Sequence, residues 1–434
     1  MKAQQPELHD RKRSVSLWRD AFDRLRRNRW AWWSFLFVVG FAGLSFLAPV
    51  LPLPSPIALQ LAREPSPPIP PWRHLGDLGW QYRTVFTLVT PSGQQLAGPD
   101  QSALTKVIRA SLGREPTWLA EEKTATGATE LSFAIPLLVD DFETRKNHLA
   151  AEIRSTFPGL ELGEIRSENE YWSLNSLDRS LLSLRGSIFG LWQTGHYLGT
   201  DAKGRDLLAR ILWGSRTSFL AALAATLCSL CIGVSYGAVA GLVGGWCDNL
   251  LMRIVDGLYS IPFIFVVIFL VTIVNSHRIA LEEQYGIDRE VILYFVIGGF
   301  FWLTMARVVR GQVLTLKHRE FMEATRGLGA SSTRLFFAHL LPNLLPIVIV
   351  YLTLTIPAVM LFEAFLSFLG LGIEAPKVSW GLLAVDSMEA VSPLRTYWWL
   401  VVGPAAAMAS TLLALNILGD GLRDALDPRL RGRE

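Results

Sequence analysis

Charged residues are scarce in this sequence of 434 residues. Asp, Glu, Lys and Arg together make up 18% of the chain, whereas hydrophobic residues make up 50%. An average soluble domain has roughly 25% charged residues, so the composition indicates a membrane protein. The basic surplus is also small, with 41 Lys and Arg against 38 Asp and Glu. A general nucleic-acid-binding protein carries a strongly basic face, and this balance argues against that class.

Cysteine is also scarce, with three residues that all lie between positions 228 and 247. So few clustered cysteines exclude the disulfide framework of a small secreted domain. Cys228 and Cys231 have CxxC spacing, but no second pair of Cys or His follows them, as a zinc site requires. We interpret them as small side chains at a helix–helix contact. We therefore expect neither a metal nor a cofactor.

A nucleotide-binding motif is lacking as well. The stretch GTDAKGRD has Gly199 and Gly204 at the separation found in a phosphate-binding loop. The next residues are Arg205 and Asp206, where that loop needs Lys and then Ser or Thr. We expect instead a turn that caps the following helix, with Asp201 and Asp206 accepting backbone or arginine hydrogen bonds. Since no nucleophile–base pair stands out either, the sequence does not indicate an enzyme.

Long charge-free runs are abundant. Six of them contain 16 to 31 residues, namely Trp30–Val50, Thr217–Cys247, Gly257–Ser276, Val291–Ala306, Leu340–Phe362 and Thr396–Gly419. A helix needs about 20 apolar residues to cross a hydrocarbon core of roughly 30 Å. One soluble core seldom contains six such runs, so we predict an all-α polytopic membrane protein with six transmembrane helices. The first run is too long for the core of a signal peptide, and we interpret it as an uncleaved anchor.

The predicted spans are residues 30–51 and about 217–240, 254–276, 291–309, 343–365 and 396–418. The fourth run is short, and Arg307 and Arg310 could extend it by snorkelling. Pro262 and Pro357 lie within spans and can bend their helices or free backbone groups.

Basic residues beside the spans predict the orientation of the chain. Eight Lys and Arg residues lie from Arg11 to Arg29, so residues 1–29 should be cytoplasmic. Counting through six spans places residues 310–342 and the tail, residues 420–434, on the same side. Both segments are rich in arginine, which agrees with that orientation. Residues 52–197 then form an extracytoplasmic insertion between the first two spans.

The insertion begins with nine prolines from Pro49 to Pro71, which predict a stiff, extended stretch. Beyond it, YRTVFTLVTPSG and TELSFAIPLLVDD have strand patterns. DQSALTKVIRASLG and DDFETRKNHLAAEIRSTF have helix patterns. The alternation predicts a small α/β domain, of which a split βαβ unit is one form. It contains no catalytic or metal-spaced cluster, so we interpret it as a docking or structural insertion.

A basic segment between the fourth and fifth spans, EFMEATRGLGASSTRLFFAHLLPN, is rich in helix formers. Gly329 lies where a left-handed helix cap is expected. Ser331 and Ser332 can then cap a second helix that runs to Pro342. The pattern alone fits either two short helices projecting from the membrane or an amphipathic helix lying on the lipid headgroups.

The residues of this segment resemble the EAA motif of bacterial ABC importer permeases. The match consists of Glu323-Ala324-Thr325, then Gly329, then Leu341-Pro342, with threonine where the family usually has alanine. In that family the segment is the coupling helix, which seats in a groove on the ATP-binding subunit. The resemblance implies an ATPase-coupling role for six residues: Glu323, Ala324, Arg326, Gly329, Leu341 and Pro342.

Three further stretches narrow the resemblance to the C-type subunit of oligopeptide and dipeptide permeases. They are LGTDAKGRDLLARILWGSRTSF, LSFLGLGIEAPKVSWGLL and GDGLRDALDPR, within a permease core of residues 198–419 and its tail. The resemblance implies a bacterial inner-membrane importer subunit for a dipeptide, oligopeptide, nickel chelate or peptide-like antibiotic. It also implies its partners: two ATP-binding subunits, a second homologous permease and an extracytoplasmic solute-binding protein.

Acidic residues in or beside spans are unfavourable in lipid and therefore of functional interest. Glu363 ends the fifth span and Asp256 opens the third, so either could line the translocation path or face a partner. Asp256 could also simply pair with Arg253, three residues earlier. An alternative function is a membrane-anchored receptor whose insertion binds a ligand, but it requires a cytoplasmic signalling domain. A membrane-embedded hydrolase or transferase would need a catalytic cluster within the spans, and the sequence offers none.

Overall fold

The computed structural model describes residues 17–57, 65–69, 84–89, 101–112, 115–123, 129–135, 142–157, 160–167, 175–190, 192–277, 289–389 and 396–426. Most of them are helical. The described helices are α1 Leu17–Arg27, α2 Arg29–Phe46, α3 Gln101–Leu112, α4 Phe142–Thr156, α5 Ser176–Phe189, α6 Leu207–Val243, α7 Gly245–Ser260, α8 Phe263–Ser276, α9 Arg289–Lys317, α10 Glu320–Gly327, α11 Ser332–Arg334, α12 Leu341–Phe368, α13 Trp380–Glu389 and α14 Trp398–Leu426. A π turn, Leu335–Leu340, joins α11 to α12.

Four stretches of helix are long and apolar enough to cross a membrane: Leu207–Val243, Glu290–Lys317, Ser332–Phe368 and Trp398–Leu426. A fifth candidate is the pair Gly245–Ser260 and Phe263–Val274, if the two bent helices form one span. Helix α2 has 18 residues, which corresponds to about 27 Å of rise, and it is not among these candidates. The described residues are thus those of a polytopic membrane protein with four or five candidate spans.

The third predicted span is broken by a bend. The span predicted over residues 254–276 contains Pro262, which was expected to be able to bend it, and α7 and α8 meet there at an angle of 85°. Ile261 is extended, with φ −84° and ψ 129°, because the residue before a proline avoids the helical region. Pro262 also lacks an N–H and would clash with the carbonyl four residues earlier. By contrast, Pro357 lies inside α12 without interrupting it.

Helices α6 and α9 approach each other closely through small residues. A Cβ atom added at Gly233 would lie 2.6 Å from the Cβ of Met305, and one at Gly241 would lie 2.6 Å from Cγ1 of Val313. A Cβ atom added at Gly298 would lie 2.8 Å from the Cβ of Cys228. Small residues allow this kind of backbone approach in membrane proteins, and Cys228 belongs to the same contact.

A separate sheet lies within the predicted insertion. It has four antiparallel strands in the order β2-β3-β1-β4, formed by Thr84–Val89 (β1), Thr117–Lys123 (β2), Thr129–Ile135 (β3) and Glu161–Ser167 (β4). Alternate residues of β1 and β3 turn inward, and the Phe86 and Phe133 rings stack with centroids 5.1 Å apart. Buried residues of α3 and α4, including Ile108 and Ile153, complete the core. With its two helices the sheet has the β-α-β-β-α-β arrangement of a split βαβ unit.

The chain divides into two compact units. The first holds the described residues within 1–41, 220–363 and 409–434, and the second holds those within 42–219 and 364–408. The predicted coupling segment, residues 310–342, lies in the first unit. The sheet and a buried cluster of charged side chains lie in the second.

Candidate coupling site

The turn after α10 has the geometry of a Schellman motif. Gly329 adopts a φ of +79°, the left-handed conformation predicted for the cap. Its N–H donates to the carbonyl of Arg326 at 2.9 Å, and the N–H of Ala330 donates to that of Thr325 at 3.3 Å. These two bonds satisfy carbonyls that the end of a helix leaves open. The turn is therefore held by backbone hydrogen bonds that depend on a left-handed residue at position 329.

The chain re-enters a helix immediately afterwards. The Ser331 hydroxyl accepts a hydrogen bond from the N–H of Arg334 at 3.4 Å, as a helix N-cap does. The expected end of this helix at Pro342 was wrong, because the π turn leads directly into α12. The N–H of Leu341 donates to the carbonyl of Phe336, five residues earlier, so the hydrogen-bond register changes just before the proline. The helix then continues across Pro342, whose side chain is exposed.

Helix α10 is attached to the neighbouring helices through one methionine. Met322 is fully buried, and Leu341 packs partly buried against the same hydrophobic cluster. Other members of the cluster come from α6, α9, the π turn and α12: Val234, Ala238, Met305, Val309, Val313, Leu335, Leu340, Leu344 and Val348. A buried side chain of this size holds a two-turn helix that would be unstable alone.

The opposite face of α10 is exposed and carries charges of both signs. Glu323, Ala324 and Arg326 are exposed, and no ion pair involves Glu323 or Arg326 within the described residues. Two large apolar side chains lie on the same segment, since Leu328 is 89% exposed and Phe337 is 62% exposed. Exposed apolar side chains beside unpaired charges are typical of a surface that binds another protein.

Polar contacts tie the end of α9 to its neighbours. The Arg310 guanidinium donates to both carboxylate oxygens of Asp248, from Nε at 2.5 Å and from Nη2 at 2.7 Å. Lys317 Nζ donates to the carbonyls of Leu242 at 3.0 Å and Gly241 at 3.4 Å. Lysine thereby satisfies carbonyls at the end of α6. The base of the coupling segment is thus bound to both α6 and α7.

The acidic residue expected to open the third span has a different partner from the one considered. Asp256 pairs with Arg307 at 2.7 Å rather than with Arg253. The Arg307 guanidinium also lies 4.0 Å from the centroid of the Tyr259 ring, a cation–π contact. Arg307 and Arg310, which could extend the fourth span by snorkelling, are each held in an ion pair within the protein.

Glu363, the other acidic candidate, is 1% exposed within α12. Both it and Asp256 belong to the first unit.

The sequence predicted that Asp201 could accept an arginine hydrogen bond, but it did not predict the buried charge network of the second unit to which this contact belongs. Asp201 accepts from Nε of Arg205 at 2.7 Å and from Nη1 of Arg210 at 2.5 Å. The two arginines also donate to Oδ2 of Asp386, at 3.0 and 2.8 Å. Arg210 is fully buried. The signals for this network were an arginine inside an apolar helix and a lone aspartate in the apolar α13.

The predicted turn at GTDAKGRD is present at the edge of this network. Asp201 accepts from the N–H groups of Lys203 and Arg205, both at 2.9 Å. Asp206 accepts from the N–H of Ala209 at 2.6 Å and contacts Nδ1 of His196 at 2.9 Å. The turn therefore caps α6, as the sequence predicted.

Comparison with known proteins matches two parts of the chain. A family model described as binding-protein-dependent transport system inner membrane component matches residues 233–432. A second model, the N-terminal TM domain of oligopeptide transport permease C, matches residues 16–68. The first of these ranges includes α10, the Schellman turn and α12.

Several curated proteins are similar over most of their own length. The dipeptide transport system permease protein DppC of Bacillus subtilis is 43% identical over 236 residues, which cover 54% of this chain and 69% of that protein. The oligopeptide transport system permease protein OppC of Haemophilus influenzae is 45% identical over 239 residues, which cover 54% of this chain and 71% of that protein. OppC of Escherichia coli K12 is 45% identical over 243 residues, which cover 55% of this chain and 74% of that protein.

Proposed function

This chain belongs to the family of binding-protein-dependent transport system inner membrane components, and we propose that it is a permease subunit of an ATP-driven peptide importer. Relatives named as dipeptide and oligopeptide permeases support peptides or similar small solutes as the cargo. The protein would carry no catalytic group itself, and separate subunits would hydrolyse the ATP.

The coupling segment is the observation that carries this function. Its exposed face bears Glu323, Ala324 and Arg326 next to Leu328, and neither charge has an ion-pair partner in the described part of the chain. A partner with complementary charges and an apolar groove would bury this face. In the proposed complex that partner is the ATP-binding subunit, and Gly329, Leu341 and Pro342 shape the segment that it holds.

The contacts at the base of the segment suggest how force reaches the membrane. Closure of the two ATPases would push on α10, which Met322 attaches to the hydrophobic cluster. From there the ion pair between Arg310 and Asp248 leads to α7, and the bonds of Lys317 lead to α6. The spans would then rock between outward-open and inward-open arrangements, the general form of alternating access.

We propose the complete topology as six spans. They comprise the four long helices, the bent pair as one span, and α2 as the first. Basic residues around α1 and α10 favour a cytoplasmic location for both termini and for the coupling segment. The sheet formed by β1 to β4 would then belong to an extracytoplasmic insertion, residues 52–197.

Four partner subunits complete the proposed importer. Two ATP-binding subunits would bind the coupling segments, and a second homologous permease would supply the other half of the translocation path. A solute-binding protein would deliver the cargo from outside, where the insertion could help to dock it.

The two acidic candidates would have different roles in this scheme. Glu363 is buried within the candidate span that includes α12, so it is the candidate for the translocation path. Asp256 and Arg307 form an ion pair whose side chains are 59% and 44% exposed, so they are candidates for the interface with the partner permease.

Co-purification tests the proposal. The tagged chain would be extracted from its native membrane in mild detergent, and its partners identified by mass spectrometry. We expect two ATPases and a second permease in near-equal amounts. A chain that came down alone would contradict the coupling role and favour an amphipathic segment lying on lipid. Signalling proteins as partners would favour the receptor alternative.

A further inference from the structure

A cavity of about 610 Å³ lies beside the coupling segment, between α6 and the chain from Lys317 to the π turn. Pockets that hold small organic ligands have volumes of about 300–1,000 Å³. All its lining residues belong to the first unit. No feature of the proposed coupling mechanism requires an open space of this size.

The polar part of the lining is cationic. Lys317 and Arg326 line the cavity together with the hydroxyl-bearing Ser332 and Thr333, and no acidic residue is among the described residues that line it. Lys317 gives two hydrogen bonds to backbone carbonyls, and an ammonium group has three donors, so one remains for a ligand. Two cations and two hydroxyls match the oxygens of a phosphate group.

The rest of the lining is apolar and faces outward. Val239 and Val243 of α6 line the cavity and are 49% and 64% exposed. Phe337 lines it from the other side and is 62% exposed. A free inorganic anion gains nothing from such walls, whereas an acyl chain is stabilised by burial against them. The lining therefore fits an amphipathic anion.

We propose that this cavity binds one anionic phospholipid, with its phosphate against Lys317 and Arg326 and its acyl chain along Val239 and Val243. Basic pockets between transmembrane helices bind anionic headgroups in this way. The site lies within contact distance of the coupling segment, because Arg326 belongs to α10 itself. A bound lipid with one negative charge would offset one of the two positive charges and bridge α10 to α6.

The test measures lipid retention by the full chain, purified with whatever subunits accompany it. Native mass spectrometry would compare phosphatidylglycerol with phosphatidylcholine of identical acyl chains. We expect the wild-type chain to retain phosphatidylglycerol preferentially. Removing one cation by Lys317→Gln should weaken that retention about fivefold, and Lys317→Arg should restore it. Arg326→Gln, which breaks no hydrogen bond of the described structure, should act in the same direction.

Arg334→Gln is the matched control. It removes the same charge from the same segment at an exposed residue that does not line the cavity, so retention should stay at the wild-type level. An equal loss in this variant would show general attraction to a basic surface and overturn the proposal. Equal retention of the two lipids would overturn it as well. Displacement of phosphatidylglycerol by inorganic phosphate would identify a free phosphate as the ligand and overturn the lipid assignment. None of these outcomes depends on transport.

Discussion

The Schellman turn allows backbone strain and charge to be separated at one position of the proposed coupling site. A Cβ atom added at Gly329 meets nothing within 4 Å, and the residue has a φ of +79°. Replacement by alanine therefore changes only the backbone preference, which is unfavourable by about 1–2 kcal/mol for an L-residue in this region. That free energy corresponds to roughly a 5- to 30-fold shift away from the correct turn.

Asparagine and aspartate complete the series. Both visit the left-handed region more readily than alanine, and they have nearly the same shape, so the pair differs mainly in charge. We expect Gly329→Asn to stay close to wild type and Gly329→Ala to lose most coupling. Gly329→Asp should uncouple the importer, because it places a negative charge on the surface that the ATPase would bind.

The assay measures three quantities for each variant: the amount of chain in the membrane, the co-purifying ATPase per chain, and peptide uptake. The first shows whether the variant folds, and the other two report coupling. If Gly329→Ala and Gly329→Asp both kept wild-type co-purification and uptake, neither the turn nor its surface would serve the ATPase. Equal losses of co-purifying ATPase and of uptake in the Gly329→Asn and Gly329→Asp variants would show that charge at this position does not affect coupling.

Three other perturbations follow from the contacts. Met322→Ala removes a fully buried side chain and should lower the free energy of unfolding by about 2–5 kcal/mol, whereas Met322→Leu should lower it by less than about 1.5 kcal/mol. Thermal unfolding in detergent distinguishes the two variants, and similar midpoints would argue against the attachment of α10 through Met322. A double-mutant cycle with Arg310→Ala and Asp248→Ala should give a coupling energy of about 1.5–3 kcal/mol, and additive effects would refute the ion pair. Asp386→Asn removes one of the two carboxylates that pair with the buried Arg210, so the free energy of unfolding should fall by about 3–5 kcal/mol. Immunoblots of membranes should then show little of the variant chain, and normal levels would show that Asp201 alone is enough to stabilise Arg210.

Local features of the coupling segment were predictable because they depend on neighbouring residues. Gly329 and Ser331 lie in a sequence that favours a left-handed cap followed by an N-cap, and the structure has both. The end at Pro342 was mispredicted because a π turn changes the hydrogen-bond register before the proline. A sequence pattern based on the α-helical period carries no sign of such a turn.

The non-local features were not predictable in the same way. The Arg210–Asp386 contact joins residues 176 positions apart, and nothing in either neighbourhood specifies the other. Two strands of the sheet were also missed. Thr117–Lys123 ends in three charged residues, and Glu161–Ser167 contains a glycine among charges. Both lack the alternating apolar pattern that identifies a strand. They form strands by pairing with the more apolar β3 and β1, which lie elsewhere in the sequence.

The buried charge network also has a consequence for how the chain is made. A ribosome adds about 5–20 residues per second, so the 176 positions from Arg210 to Asp386 take roughly 10–35 s to synthesise. During that interval Asp201 is the carboxylate available to both Arg205 and Arg210. Until Asp386 is made, this end of α6 therefore has an excess of positive charge, and the arrival of α13 neutralises it. Completion of the second unit is therefore an electrostatic step that awaits the last third of the chain.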